Sequence, residues 1–574
     1  MGKVSKKSEK EKFLAEIERL KKELKRKKKY GLIWEAKSEE VVEMCKEKLP
    51  VLKEVKNKEI ITDKDKPVNL LIEGDNYHAL SVLNYTHAKK VDVIYIDPPY
   101  NTGNKDFIFN DRYVDKEDAY RHSKWLSFME KRLKLAKNLL KDTGVIFISI
   151  DDNEIAQLKS LLDDKNRGMF GEENFIANII WRKKRGYGRG DNLIIPQTEY
   201  ILLYARNKNK LTFFELPLSD RKLKGYKYED SLGLYKRETL EHHTPQGGYI
   251  RKTLQYDLAI NGRKIYCTTG QWLWSRDRVR KELANIIGRN KNGENEYKHL
   301  DIIKDSKGRW RAYKKIRLES EGIQRNERPL SIIDDSSITT NSAAFELNNL
   351  FADRVFDFPK PSSLIKLLLQ FSTSKHSIIL DFMAGTGTTG HAVLKLNKED
   401  DGNRKFILCT NNENNNGNGY KIAEDICYPR IKKVLEGYKN LKGEWVGGLG
   451  GNLKYFRAYK KTFVDAEPTD RNKIKLTEQV TEMLCVKEDT FEKILDQKNF
   501  KIFKNANHYT GIIFDQVAIP AFKKAIKDVE GKFSVYVFSL GDETFDDEFK
   551  GVKQKIKLSP IPEAILRVYR RIFK

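Results

Sequence analysis

The sequence predicts an α/β fold of the doubly wound kind, discontinuous in the chain, with an inserted domain and a smaller C-terminal domain. Three observations predict it. Short apolar runs at residues 68–73, 91–96 and 145–150 alternate with helical stretches such as 125–140, the rhythm of a parallel sheet covered by helices. That rhythm stops at Trp181 and resumes at 378–382 and 405–410. Between the two halves lies a long segment rich in basic, glycine and aromatic residues.

Taken in order, the 574 residues are too many for a single hydrophobic core. Residues 1–60 read as a helical arm: the first thirty are dominated by Lys and Glu, and Phe13, Ile17, Leu20 and Leu24 draw a narrow apolar seam. Residues 61–180 and 357–440 are expected to form the two halves of the α/β domain. The insertion, 181–356, opens on Arg182, Lys183, Lys184 and Arg185 with Gly186, Gly188 and Gly190. It carries Tyr187, Tyr226, Tyr228, Tyr235, Trp272, Trp274 and Trp310, read chiefly as core. The Asn-rich stretch 411–418 is a loop on composition. Residues 441–574 are expected to form the C-terminal domain, with strands at 510–514 and 533–538 around a helical segment.

Lys and Arg outnumber Asp and Glu by 108 to 82, a net charge of +26 that favours a polyanionic partner. The five cysteines are scattered without a C-x-x-C pair, which suggests neither a disulfide framework nor a zinc ribbon and fits a reducing cytoplasm. No apolar run reaches the roughly 18 residues that span a bilayer, and no membrane association is expected. His242 and His243 have no partners at metal-ligand spacing, so no metal site is indicated.

Two motifs carry chemistry. The first is an apolar strand ending abruptly in Asp97-Pro98-Pro99-Tyr100, at the strand end where open α/β sheets bind ligands. The prolines stiffen the turn, so the Asp97 carboxylate and the Pro98 carbonyl can act as two acceptors pointing the same way. Two such acceptors suit an aromatic amine, whose delocalised lone pair must be freed before it can attack. Tyr100 adds a flat face on which a base can stack. The second motif is Asp381-Phe382-Met383-Ala384-Gly385-Thr386-Gly387-Thr388, a strand running into a glycine-rich turn and a helix, which lets the backbone pass close to a ligand. A phosphate loop of the G-x-x-x-x-G-K-[ST] type is absent from the sequence.

Together the motifs resemble those of the amino-methyltransferases of DNA, in the β order with the catalytic motif first. The resemblance implies a Rossmann-like methyltransferase domain, S-adenosylmethionine as cofactor, and catalysis by Asp97, Pro98, Pro99 and Tyr100. It implies cofactor binding by Asp381, Phe382, Ala384, Gly385, Gly387 and Thr388, with Met383 where Phe is commoner. The segment Phe358-Pro359-Lys360-Pro361-Ser362 is similar to the one that grips the cofactor's methionine part, with Lys360 near its carboxylate and Pro361 and Ser362 beside it. Asp75 and Asn76 match the strand end that contacts its adenine, and Glu413 is the candidate for its ribose hydroxyls. The insertion is then a target-recognition domain, the substrate double-stranded DNA, and Asp97 points to adenine N6 over cytosine N4.

Outside this core, residues 30–34, 49–52 and 447–456 resemble the modification subunits of type III restriction-modification systems. That likeness implies assembly through 441–574, into a homodimer or with an ATP-dependent restriction subunit. Three other classes compete with this reading. A cytosine-C5 methyltransferase needs a nucleophilic cysteine, usually after proline, and no Pro-Cys occurs. A nuclease could be imitated by Asp542, Glu548 and Lys550, which a solvated loop explains better. A catalytically silent DNA reader is opposed by the intact motifs.

Overall fold

The structure, a computed structural model, describes residue 17 and residues 37–104, 106–110, 112–186, 193–211, 215–242, 251–290, 293–412, 419–459, 463–541, 543 and 545–573. The apolar seam around Phe13, Leu20 and Leu24, the 30–34 match, and Tyr187, Gly188, Gly190, His243, Glu413 and Asp542 lie outside the described residues.

One sheet of eleven strands organises the first of two compact units, residues 1–212 and 330–574. Its strands are β1 (Lys53–Glu54), β2 (Ile60–Ile61), β3 (Val68–Gly74), β4 (Val91–Ile96), β5 (Leu140–Ile150), β6 (Phe175–Arg182), β7 (Thr198–Ala205), β8 (Ile332–Ile333), β9 (Ile378–Asp381), β10 (Lys405–Thr410) and β11 (Asn452–Ala458). Their order is β1-β11-β3-β10-β9-β4-β5-β7-β6-β8, with β2 also on β11. From β11 to β5 all neighbours run parallel. Such strands are buried on both faces, and Val93, Ile94, Tyr95 and Ile96 of β4 are all within the core.

Helices link the strands: α1 (Glu40–Glu47), α2 (Asn76–Thr86), α3 (Arg121–Leu139), α4 (Ile155–Asp163), α5 (Thr340–Phe351), α6 (Ser362–Ser372), α7 (Thr388–Asp400) and α8 (Tyr428–Glu436). The chain steps from β4 through α3 to β5 in one direction, and from β9 through α7 to β10 in the other. The reversal between β4 and β9 is the switch point at which a doubly wound sheet opens a crevice. Pairing of Val93 with Ile379 and Ile94 with Leu380 brings the two sequence motifs off the sheet side by side.

Three boundaries differ from those read in the sequence. Trp181 is fully buried within β6, and β6 and β7 pair antiparallel as a continuation of the main sheet, so the second compact unit is Phe213–Pro329. The region from 441 on belongs to the first unit. Its strand β11 lies in the main sheet, and Met483, Tyr536 and Tyr569 share one core with Leu83 and Leu133. The strands expected at 510–514 and 533–538 are His508–Ile513 and Lys532–Phe538, parallel neighbours in a five-stranded sheet. The stretch before residue 60 is more than an arm, since Cys45, Leu49 and Leu52 join that core and Lys53–Glu54 pairs with β11.

The second unit carries a four-stranded antiparallel sheet and a core of Leu240, Trp272, Trp274 and Leu300. Tyr226 and Tyr235 are buried as well, so the aromatics there serve mainly as packing. All five cysteines are free thiols. Among the described residues no helix is long and apolar enough to cross a membrane.

Candidate active site

The catalytic-motif turn leaves β4 and is tied down residue by residue. The Trp125 indole of α3 donates to the Pro99 carbonyl at 2.7 Å, while among the described residues the Pro98 carbonyl accepts no hydrogen bond. The Tyr100 hydroxyl lies 2.9 Å from Asp97 Oδ1 and 3.2 Å from Glu199 Oε2. Asn101 closes the turn in the left-handed region, at φ +58°, which Asn tolerates better than most residues.

Lys360 is set between Pro359 and Pro361, which fix the backbone on both sides. Its ammonium donates to both Asp97 carboxylate oxygens at 2.9 Å and stands 3.3 Å from Glu199 Oε2. Glu199, on β7, is paired on its other oxygen with Lys183 at 2.9 Å. Burial would raise the Glu199 carboxyl, but Lys360 and Lys183 together hold it below the ordinary value. Burial likewise works against the Lys360 ammonium, and Asp97 and Glu199 outweigh it, so this lysine stays charged. Lys360, the residue expected near the cofactor's carboxylate, is thus engaged with Asp97.

The glycine-rich turn is held from behind. Asp381 is fully enclosed, accepts from the Met383 amide at 3.0 Å and the Thr389 hydroxyl at 2.5 Å, and is pushed up to about 7 by burial. Gly385 and Gly387 have φ of +48° and +79°, and a Cβ on Gly387 would stand 2.9 Å from Cys427 Sγ. The buried Arg430 guanidinium donates to the hydroxyls of Thr386 and Thr388 at 2.8 and 2.7 Å and to Glu346 at 3.0 Å. The Ser362 hydroxyl donates to the same Glu346 at 2.5 Å. Thr388 and Ser362 therefore belong to the support of the turn.

In front of both turns is a cavity of about 440 Å³, walled by Asp75, Asn76, Asp97, Pro98, Pro99, Phe382 and Gly385 among others. Asp75 also caps α2, accepting from the Tyr77 amide at 2.7 Å. Of the remaining expected residues, Tyr100 and Lys360 reach the cavity through Asp97, whereas Pro361 and Ala384 are buried in the adjoining segments. The lining is acidic: Glu39, Glu40, Asp75, Asp97, Asp106 and Asp357, set against the cation Arg132. Arg132 is buried on α3, pairs with Glu39 at 2.6 Å, donates to Asn76 Oδ1, and lies 3.7 Å over the Phe128 ring.

Glu199, Arg132 and Glu39 were missed in the sequence. A charge on the apolar face of α3 was the available signal for Arg132; Glu199 sits in an apolar strand with no motif around it. Among the described residues no group of three or more His, Cys, Asp or Glu side chains is placed to hold a metal ion.

Comparison with known proteins agrees with this geometry. Residues 91–416 match the sequence profile of the family described as DNA methylase. The StyLTI Mod subunit, a type III restriction-modification enzyme of Salmonella typhimurium, is 33% identical over 400 residues, covering 64% of this chain and 57% of that one. The EcoPI Mod subunit, also type III, from Escherichia phage P1, is 34% identical over 424 residues, covering 64% and 62%. The type II methyltransferase M.KpnI of Klebsiella pneumoniae is 32% identical over 397 residues, covering 64% and 88%. The matches thus span less than two thirds of the two type III relatives. With the family match running over residues 91–416, through both motifs and the paired strands β4 and β9 that carry them, this chain belongs to the DNA methylase family.

Proposed function

We propose that this chain transfers a methyl group from S-adenosylmethionine to the exocyclic amine of a base turned out of double-stranded DNA, adenine N6. The observation that carries the reading is the placement of the Asp97 carboxylate and the Pro98 carbonyl on the wall of a cavity also bounded by Phe382 and Gly385 of the glycine-rich turn. Asp97 accepting one N–H and Pro98 the other would hold the nitrogen toward a tetrahedral shape and free its lone pair. Oδ2, which takes the Lys360 ammonium, keeps a lone pair for this purpose, and the Pro98 carbonyl has no donor among the described residues.

The residues present fit the cofactor, which supplies an electrophilic methyl group on a sulfonium. It carries a sulfonium and an ammonium against one carboxylate, and the cavity is acidic in a chain of net charge +26. Asp106 Oδ1 is buried in its lining without a hydrogen-bond partner among the described residues, an acceptor that a ligand's N–H or O–H would satisfy, and Glu39 Oε2 in the same lining stands 3.6 Å from the Lys131 ammonium. A volume of about 440 Å³ is in the range of cofactor sites. Asp75, Asn76, Phe382 and Gly385 would hold it, Gly385 by leaving room where a side chain would project.

The relatives named Mod support the role of modification subunit of a type III system; in this reading the second unit would choose the sequence and a separate restriction subunit would supply any motor activity. A stand-alone methyltransferase is the second reading, favoured by the match over 88% of M.KpnI. The test is to incubate the protein with unmethylated duplex DNA and S-adenosylmethionine without ATP, then analyse nucleosides by mass spectrometry. N6-methyladenine is expected. N4-methylcytosine would overturn the adenine assignment, and absence of any methylated nucleoside would overturn the activity. Capture of a co-expressed restriction subunit separates the type III reading from the stand-alone one.

A further inference from the structure

Behind the catalytic turn is a buried polar cluster that the chemistry above does not use. Glu154 directly precedes α4, yet its side chain makes no cap hydrogen bond to that helix. It turns instead into the core, with no exposed surface, toward Asn101, the residue that follows Tyr100. The Asn101 amide nitrogen donates to Glu154 Oε1 at 2.5 Å, and His122 Nδ1, in the first turn of α3, lies 2.6 Å from the same oxygen. Both donors converge on Oε1. Among the described residues Glu154 Oε2 and Asn101 Oδ1 are each buried without a hydrogen-bond partner, as is Gln157 Oε1 on α4.

Two acceptors left without donors beside a completed amide-to-carboxyl bond are what an ionised carboxylate leaves behind and a carboxylic acid can resolve. A proton on Oε2 lets it donate to Asn101 Oδ1, closing a second hydrogen bond beside the first and removing the cost of two orphaned oxygens. The charged groups that face Glu154 are Arg121 and His122 at the start of α3 and Asp151 after β5. Burial opposes the anion most and pushes the group up to about 8, with Asp151 adding to it, against the Asn101 hydrogen bond and Arg121, which favour the anion. His122 is itself held below its ordinary value by burial and by Arg121, so it is a neutral donor here.

We propose that Glu154 is a positioning residue for the transfer: as a neutral carboxylic acid it pairs with the Asn101 amide through two hydrogen bonds and so fixes the turn that carries Asp97 and Pro98. This rests on the methyltransferase reading above. Trp125 on Pro99 and Glu154 on Asn101 grip the turn from both sides of Tyr100, so its acceptors hold their direction while a base enters. Loss of the pair removes the side-chain anchor of Asn101, whose backbone is held in the left-handed region.

The experiment measures kcat and KM for methylation against pH for the wild type, Glu154→Gln and Glu154→Ala. Gln is neutral and can make both bonds to Asn101. Turnover of the wild type should fall as pH rises through about 8. Glu154→Gln should keep turnover within about twofold at neutral pH and lose that alkaline fall, while Glu154→Ala should lose about a hundredfold in kcat with little change in KM. A Gln variant as impaired as Ala, or an alkaline fall unchanged in Gln, overturns the proposal. Infrared difference spectra of wild type against Glu154→Gln give an answer independent of activity. A protonated-carboxyl band at neutral pH, present in the wild type and missing in the variant, supports it even should the methylation reading fail; no such band overturns it.

Discussion

Replacing Lys360 by Met keeps the length of the side chain and removes its charge from between two carboxylates. Lys360 and Glu199 are 9% and 7% exposed, so solvent cannot take over the contact at 3.3 Å to Glu199, whereas the Asp97 carboxylate, 28% exposed on the cavity wall, can be hydrated once its 2.9 Å contact is lost. Removing one partner of a buried pair costs about 3–5 kcal/mol. The lower end applies, about 3 kcal/mol, because Lys183 still faces Glu199 and the Tyr100 hydroxyl still donates to Asp97. The effect carries a pH signature. Glu199 is held below its ordinary value in the folded wild type, so its contribution to stability is complete above the unfolded value of about 4.5 and is lost as pH falls through the folded one. The deficit of Lys360→Met should therefore be full at neutral pH and shrink below about pH 4.5. Urea unfolding followed by tryptophan fluorescence at neutral and acid pH measures it. An unchanged midpoint at neutral pH, or a deficit of equal size under both conditions, would refute the reasoning.

Asp97→Ala should bind S-adenosylmethionine in calorimetry and fail to methylate, since in the proposed transfer its carboxylate holds the amine; wild-type turnover would show another means of activation. Gly387→Ala forces a left-handed Ala that costs about 1–2 kcal/mol and sets a Cβ 2.9 Å from Cys427 Sγ, so cofactor affinity and urea midpoint should both drop. Exchange of the unit Phe213–Pro329 for that of a relative should move methylation to another sequence without changing the modified atom, and DNA binding should weaken steeply with salt in titrations. A chain ending near residue 441 should fail to fold in circular dichroism, because it lacks the strand Asn452–Ala458 that pairs with β3; native-like spectra and stability would refute this.

The strands around the two motifs were legible because a central parallel strand writes itself as a continuous apolar run, as in Val91–Ile96 and Lys405–Thr410. Strand Asn452–Ala458 was not, since Lys454 and Arg457 make it look like a surface segment. Their charges are met by Glu59 at 2.6 Å and Glu73 at 2.7 Å, residues nearly four hundred positions away. The hairpin of β6 and β7 was hidden by the basic run at 182–185 that divides its strands. Of the candidate site, Asp97 and Gly385 could be named from their motifs, whereas the acidity of the cavity comes from carboxylates on separate segments, which no local pattern reveals. Glu413, named for the ribose, lies outside the described residues.

The prolines on either side of Lys360 have a consequence for kinetics. With φ fixed at Pro359 and Pro361, the lysine's anchor is not free to swing as a loop would. Any exchange of its ammonium from Asp97 to another acceptor must run through side-chain torsions alone. Such rotations take picoseconds to nanoseconds where the side chain is exposed, and longer when it is packed, but remain far from the microseconds to milliseconds of lid or domain motion. The electrostatic state of the acceptor pair can thus reset many times faster than a lid or a domain could move.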